Sequence, residues 1–302
     1  MKIGVALPIA EREGQQVEYD EIRALALQAE DEGLDSIWFY DHLLFRSQGE
    51  PTRGIWECWT LLSALAEATK RVELGTLVLC TAFRNPALLA KMAVTLDAIS
   101  RGRLILGLGA GWHQPEFDAF GLPFDHLAGR FEEALNIIVP LVREGKVDFE
   151  GQYYSAKECE MAPGNIRAGG PPILIGASRP RMLELTARHA DLWNTCWLGP
   201  VAALAPRLAP LEEARQKVGR EAGKPGVTVG VFVHILAAGE KVPAEVDRER
   251  VIVGTVEEVG QALYDYQQAG AVHLICALRE NTSQAYTRLA QAAQYCRKLQ
   301  AQ

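Results

Sequence analysis

The chain has no Cys-x-x-Cys pair, no low-complexity tract, no internal repeat beyond a strand-helix unit, and no uninterrupted apolar run long enough to span a bilayer. Each absence excludes a class of protein. The six cysteines, Cys58, Cys80, Cys159, Cys196, Cys276 and Cys296, are scattered through apolar patterns, which predicts buried free thiols rather than a disulfide framework or a zinc site. Basic residues are in deficit: 31 Lys and Arg against 38 Asp and Glu give a formal charge of −7. That balance disfavours a nucleic-acid or acidic-membrane surface, while allowing a local basic pocket around an anionic cofactor. The opening MKIGVALPIAEREG has too short an apolar run for a secretory signal, so the expectation is a soluble, cytoplasmic protein with no membrane partner.

What the chain does have is regular alternation. In Leu74–Gly111, an apolar run (Leu74, Leu77, Val78, Leu79) too continuous for a sheet with one wet face reads as a buried parallel strand. Pro86 opens a helix with Leu89, Met92, Ala93 and Leu96 on one stripe, closed by Gly102. A second strand, Arg103–Leu108, runs into Gly109-Ala110-Gly111-Trp112, where absent side chains let a planar ring approach the main chain. The same unit recurs. Strands are predicted at Ile3–Pro8, Ser36–Tyr40, Pro172–Gly176, Leu192–Asn194, Val227–Ala237 and Val272–Ala277. Helices are predicted near Asp20–Glu32, Glu57–Thr69, Ala128–Val142, Arg181–His189, Val201–Ala222, Val256–Ala269 and Gln284–Leu299. Eight strands alternating with eight helices predict one (β/α)8 TIM-type barrel domain over residues 1–302.

Two segments break the pattern. Glu144–Pro171 carries loop chemistry and reads either as a lid or as a hairpin turning at Gly151; Gly239–Gly254 is charged and reads as an exposed irregular piece. Gly107, Gly109 and Gly111 do not make a dinucleotide fingerprint, because the third glycine would fall at Trp112 and Pro115 interrupts the helix required there.

The ordered blocks WFYDH (38–42), WECW (56–59), LGTLV with FRNPALLAKMAVTLDAISRGR, GLGAGWHQPEFDAFG, FEGQYY, PPILIGAS and HADLWN resemble the luciferase-like monooxygenase superfamily over roughly residues 1–280. The similarity is greatest to its deazaflavin-dependent oxidoreductase branch. The resemblance implies a TIM-type barrel, a flavin or deazaflavin at the C-terminal ends of the strands, and a homodimer.

It also implies roles for particular residues. Asp41 and His42 would sit beside the reactive ring, with His42 contacting it or exchanging a proton. An Asp-His pair just past a barrel strand is well placed for that, since imidazole titrates in the useful range. The competing reading is that Asp41 caps the next segment and His42 packs on it. Leu77 and Val78 would form a bulge with a non-prolyl cis peptide under the ring, where the sequence alone reads an ordinary strand. Gly176, Ala177 and Ser178 would hold the cofactor phosphate ahead of a helix, although Ser178 also reads as a plain N-cap. Gly109, Ala110 and Gly111 would lie against the ring, with Trp112 and His113 toward the substrate. A glutamate found at the Trp112 position in deazaflavin sugar dehydrogenases is missing, which disfavours sugar-phosphate chemistry and favours an apolar or aromatic substrate surface.

Glu57, Glu116, Asp118 and Arg130 read as solvated or dipole-complementing. His189 reads as capping or surface, and His234 and His273 as satisfied core histidines. Trp38, Trp193 and Trp197 read as candidates for the pocket wall, Trp56 and Trp59 as loop packing. The leading expectation is hydride transfer between a deazaflavin (coenzyme F-420) and a small organic substrate, with His42 as proton partner. An FMN-dependent monooxygenase is the alternative. Two further readings are a non-catalytic flavin-binding protein and a barrel hydrolase using Asp41 and His42 as metal ligands. The latter is disfavoured because strand one lacks His-x-His, so no metal is expected.

Overall fold

The computed structural model describes residues 1–12, 14–219 and 224–300. Eight parallel strands close into a ring: β1 (Lys2–Ala6), β2 (Ser36–Phe39), β3 (Glu73–Thr76, continued after a break by Leu79–Cys80), β4 (Leu104–Gly109), β5 (Ile173–Gly176), β6 (Leu192–Leu198), β7 (Gly226–Ile235) and β8 (Ala271–Leu278). Pairing runs in chain order. β8 returns to β1 with Lys2 opposite His273 and Val5 opposite Cys276, so the barrel has no free edge.

The surrounding helices are α1 (Tyr19–Asp31), α2 (Cys58–Ala68), α3 (Pro86–Ile99), α4 (Leu127–Arg143), α5 (Pro180–His189), α6 (Ala205–Val218), α7 (Val256–Gln268) and α8 (Ser283–Gln300). Local signals account for their starts. Glu57 and Asn85 each accept two backbone N–H groups at the heads of α2 and α3, and Thr255 with Glu258 forms a capping box on α7. The main apolar core lies between this helical layer and the outer faces of the strands. A smaller cluster of Ala6, Trp38, Leu77, Ile105, Leu174 and Ile275 fills the barrel itself.

Trp38 belongs to that inner plug. It is fully buried, and its indole N–H donates to Ser36 Oγ at 2.7 Å, which lies 2.7 Å from His273 Nε2. Glycine is required at position 75, because a Cβ there would stand 2.1 Å from the indole. His273 is thus a satisfied core histidine, as the sequence predicts, whereas Trp38 fills the barrel instead of lining a pocket.

One open reading is decided and other elements depart from expectation. Glu144–Pro171 contains an antiparallel hairpin, Lys146–Glu150 with Ser155–Glu160, whose turn is held by Glu133 accepting the N–H groups of Gln152, Tyr153 and Tyr154. Gly239–Gly254 is not wholly irregular: Val251–Gly254 pairs in parallel with the end of β7, outside the ring. The long helix predicted at Val201–Ala222 is a 3-10 turn at Val201–Ala203 followed by α6, which Gly219 ends at φ +68°; positions 220–222 lie outside the described residues. Pro115 sits inside the first turn of a short helix, Gln114–Phe120, where the missing N–H would have had no intrahelical partner. The six cysteines are free thiols, with Cys196 exposed. No helix among the described residues is long and apolar enough to cross a membrane.

Candidate functional site

The C-terminal ends of the strands surround a cavity of about 1140 Å³. That exceeds the roughly 300–1,000 Å³ usual for one small ligand, so there is room for a ring cofactor and a second molecule. Asp41, His42, Leu77, Val78, Gly109, Ala110, Gly111, Trp112, Gly176, Ala177 and Ser178, all singled out from sequence, line this one cavity. His113 is not among the lining residues. It stands at the N-terminal boundary of the Gln114–Phe120 helix, where its Nε2 accepts the Arg46 N–H at 3.2 Å.

The floor is formed where β3, β4 and β5 end. The Leu77–Val78 peptide is cis, and Val78 presses against glycines on the next two strands, β4 and β5: a Cβ on Gly109 would lie 2.5 Å from Val78 Cγ2, and one on Gly176 3.3 Å. The result is a smooth apolar surface from three strand ends, suited to the face of a flat ring. At one end, Gly176-Ala177-Ser178 leads into α5 with Pro180 at its first position. The turn is anchored by Trp193, whose indole N–H donates to Ala177 O at 2.9 Å; this buries Trp193 beneath the turn and not in the cavity wall. Ser178 makes no cap bond, since Arg179 occupies the N-cap position. Arg181 turns away to Glu132, so Arg179 and Arg207 are the guanidinium groups facing this end.

The opposite wall carries the polar machinery. Sequence reasoning discounted Glu116, yet its carboxylate is 1% exposed and accepts from His42 Nδ1 at 3.0 Å and from the Leu43 N–H at 2.8 Å. An ionised carboxylate can only accept, so Nδ1 carries the proton and Nε2 is left to face a ligand. Asp41 does something else. Both its oxygens take hydrogen bonds from Arg84, at 2.6 and 3.0 Å, and one also accepts the Cys80 N–H at 2.9 Å. Burial pushes the Asp41 carboxyl above its ordinary range, against the pull of Arg84. Arg84 also bonds Glu57, tying the β2 and β3 ends to α2. Asp41 and His42 therefore have separate partners instead of converging.

Glu116 and Arg84 were missed because their partners lie 74 and 43 residues away in sequence, which no local pattern reports. Trp112 is 68% exposed at the mouth, its ring 5.5 Å from His42. Trp197 also lines the cavity and stacks on Phe232 with ring centres 5.0 Å apart. Cys80 borders the cavity, but burial pushes its thiol up to about 12, which removes it as a nucleophile near neutral pH.

Comparison with known proteins gives a consistent set. The luciferase-like monooxygenase family profile matches residues 1–241. A pyrimidine monooxygenase (RutA) from Methylorubrum extorquens is 34% identical over 243 residues, covering 73% of this chain and 64% of its own length, so the chain spans less than two thirds of that relative. Among solved structures, the coenzyme F-420-dependent tetrahydromethanopterin reductase of Methanopyrus kandleri superimposes with a TM-score of 0.78 at 20% identity, covering 96% of this chain and 97% of the reductase. The oxygenating constituent of 3,6-diketocamphane monooxygenase from Pseudomonas putida, in complex with FMN, gives 0.74 at 19% identity with 96% of each chain covered. At these identities the structural matches speak for the fold.

Proposed function

The chain belongs to the luciferase-like monooxygenase family, and from that footing we propose that it is an FMN-dependent monooxygenase of a small organic ring compound. Membership makes it an oxidoreductase working with a flavin or a deazaflavin. The sequence reading favoured the deazaflavin. That choice yields to FMN because the relative similar in sequence, at 34% identity, is named a monooxygenase, while the coenzyme F-420 enzyme is a likeness of fold at 20%. A deazaflavin ring does not readily activate oxygen, so monooxygenation calls for FMN.

The observation that carries the proposal is the single cavity in which the Leu77, Val78, Gly109 and Gly176 floor, the Gly176–Ser178 turn and the His42–Glu116 pair meet. These residues fit the group. The floor supports the flat ring, and the turn at the start of α5 with Arg179 and Arg207 suits a phosphate dianion. When bound, reduced FMN supplies the electrons and activates dioxygen. His42 holds or delivers a proton at Nε2, and Glu116 fixes the ring and its tautomer. The aromatic mouth at Trp112 and Phe45 limits access of water to the reacting centre. A homodimer and a cytoplasmic location are part of the same proposal, carried from the sequence.

The test is a titration of the cofactor-free protein with FMN and with coenzyme F-420, followed through quenching of tryptophan fluorescence, which Trp112 and Trp197 report. FMN is expected to bind more tightly, and Ser178→Asp is expected to weaken it at least about tenfold by opposing the phosphate charge. Tighter binding of coenzyme F-420, with no oxygen uptake after reduction of the FMN-loaded protein, overturns the proposal.

A further inference from the structure

The charged groups of the cavity are of two kinds. Its acids are already partnered: Asp41 by Arg84, Glu116 by His42, and Glu11 by the Gly54 N–H at 2.5 Å. Its arginines are not. Among the described residues, Arg12, Arg53, Arg179 and Arg207 line the cavity without an ion-pair partner. In a chain of formal charge −7 this is a local concentration of cations with a purpose of its own.

The four divide by position. Arg179 and Arg207 belong to the β5 and β6 side, at the turn assigned above to the cofactor phosphate. Arg12 follows β1 and Arg53 lies in the loop after β2, so both stand on the His42 side. Arg12 Nη2 is fully buried and has no hydrogen-bond partner. The guanidinium as a whole makes no hydrogen bond among the described residues, and Arg12 is only partly buried along the cavity, so an anion reaching it meets donors that nothing in the chain satisfies. The Arg53 guanidinium lies over the Phe45 ring, 4.5 Å from its centre, and Phe45 in turn lies 4.5 Å from the His42 ring. Both guanidinium groups act on the Tyr40 phenol, opposing the upward push of its burial, so they converge on one corner.

We infer that Arg12 and Arg53 form the anchor for an anionic group of the substrate, so that the enzyme prefers ring compounds bearing a carboxylate over their neutral counterparts. The inference rests on the flavin reading, which gives the cavity's other cationic end to the cofactor. Planar guanidinium forks match a carboxylate in two parallel hydrogen bonds, and Phe45 holds Arg53 in place to make them. Anchored there, the ring of the substrate lies between the aromatic wall and the flavin that covers the floor, beside His42.

The test uses the FMN-loaded protein and matched pairs differing only in the carboxylate: uracil with orotate, benzamide with benzoate, nicotinamide with nicotinate. Binding is measured by calorimetry. At least one carboxylate is expected to bind about tenfold more tightly than its neutral partner, as a charge-assisted pair supplies. Arg12→Gln and Arg53→Gln should each remove most of that preference, Arg12→Lys should retain part of it, and FMN affinity should stay within about twofold in all three. Two outcomes overturn the inference: no carboxylate binding better than its neutral partner, absence of binding by all six included, or Arg12→Gln weakening FMN in parallel with the carboxylate, which would mean that the cofactor's own phosphate sits at Arg12. Failure of the flavin reading is separate, since it appears as loss of FMN binding by the unsubstituted protein; the same pairs and criteria then apply to the cofactor-free protein.

Discussion

Glu116→Ala and Glu116→Gln together separate the two roles of the carboxylate behind His42. The Glu116 side chain is nearly inaccessible and serves two donors from the β2 loop, His42 Nδ1 at 3.0 Å and the Leu43 N–H at 2.8 Å. Hydrogen bonds to a charged group contribute about 1.5–3 kcal/mol each. Removing the acceptor leaves both donors unsatisfied, and water reaches the partly exposed His42 ring, 13% accessible, to recover part of the loss. The expected cost of Glu116→Ala is roughly 3 kcal/mol in urea unfolding of the cofactor-free protein. Glu116→Gln keeps an oxygen for Leu43 but presents an NH₂ group to His42, which forces Nδ1 to accept and moves the ring proton to Nε2. Stability should then fall by only about 1 kcal/mol, whereas turnover should fall about tenfold to a hundredfold because the cavity-facing nitrogen has the wrong role. His42→Ala should lower turnover by about a hundredfold or more with the fold retained. The reasoning is refuted if Glu116→Gln turns over at the unsubstituted rate, or if Glu116→Ala unfolds within about 0.5 kcal/mol of the parent.

Three further outcomes follow from the geometry. Arg84→Met leaves the Asp41 carboxylate, whose side chain is 0% exposed, without its charge partner, so unfolding stability should drop by about 3–5 kcal/mol; a midpoint unchanged in urea would mean that the ion pair does not contribute to stability. Burial, and then the charges of Lys2 and the N-terminus, push His273 down to about 3 from its ordinary 6.5, so the folded state stays neutral where the unfolded state takes up a proton. The stability this confers is complete above the unfolded value and is lost as pH falls toward the folded one, about 2 kcal/mol by pH 5. His273→Gln should flatten stability between pH 7 and 5, and an unaltered acid dependence would exclude His273 as its source. Gly109→Val drives methyl groups into Val78, which stands 2.5 Å from even a Cβ there, so FMN affinity should fall at least about tenfold if the floor supports the ring; undiminished affinity would put the ring elsewhere.

The alternation of apolar strands with amphipathic helices carried the barrel, because a parallel strand covered by helices must be apolar on both faces and a helix must show its stripe at a fixed period. The small residues at 109, 111 and 176 were equally legible, whereas the step at Leu77-Val78 was implied only by the family resemblance, because the two side chains by themselves read as ordinary buried strand. Gly151 and its neighbours announced a turn but not its use, and the strand at Val251–Gly254 was hidden by the charged residues around it.

What only tertiary structure decided was which distant groups meet. Glu116 reads as one more acidic residue in a first helical turn, and its burial against His42 depends on the β4 loop folding across the end of β2. Asp41 reads as a partner of its neighbour His42, yet Arg84 claims both of its oxygens. Trp38 reads as a pocket aromatic at a strand end, and becomes the barrel's plug because Gly4 and Gly75 leave it the space. The sequence by itself determined the periodic elements and their order, since those depend on near neighbours. The pairing of charges inside the cavity depends on which side chains the closed ring brings within reach, and that distance is not written in any stretch of the chain.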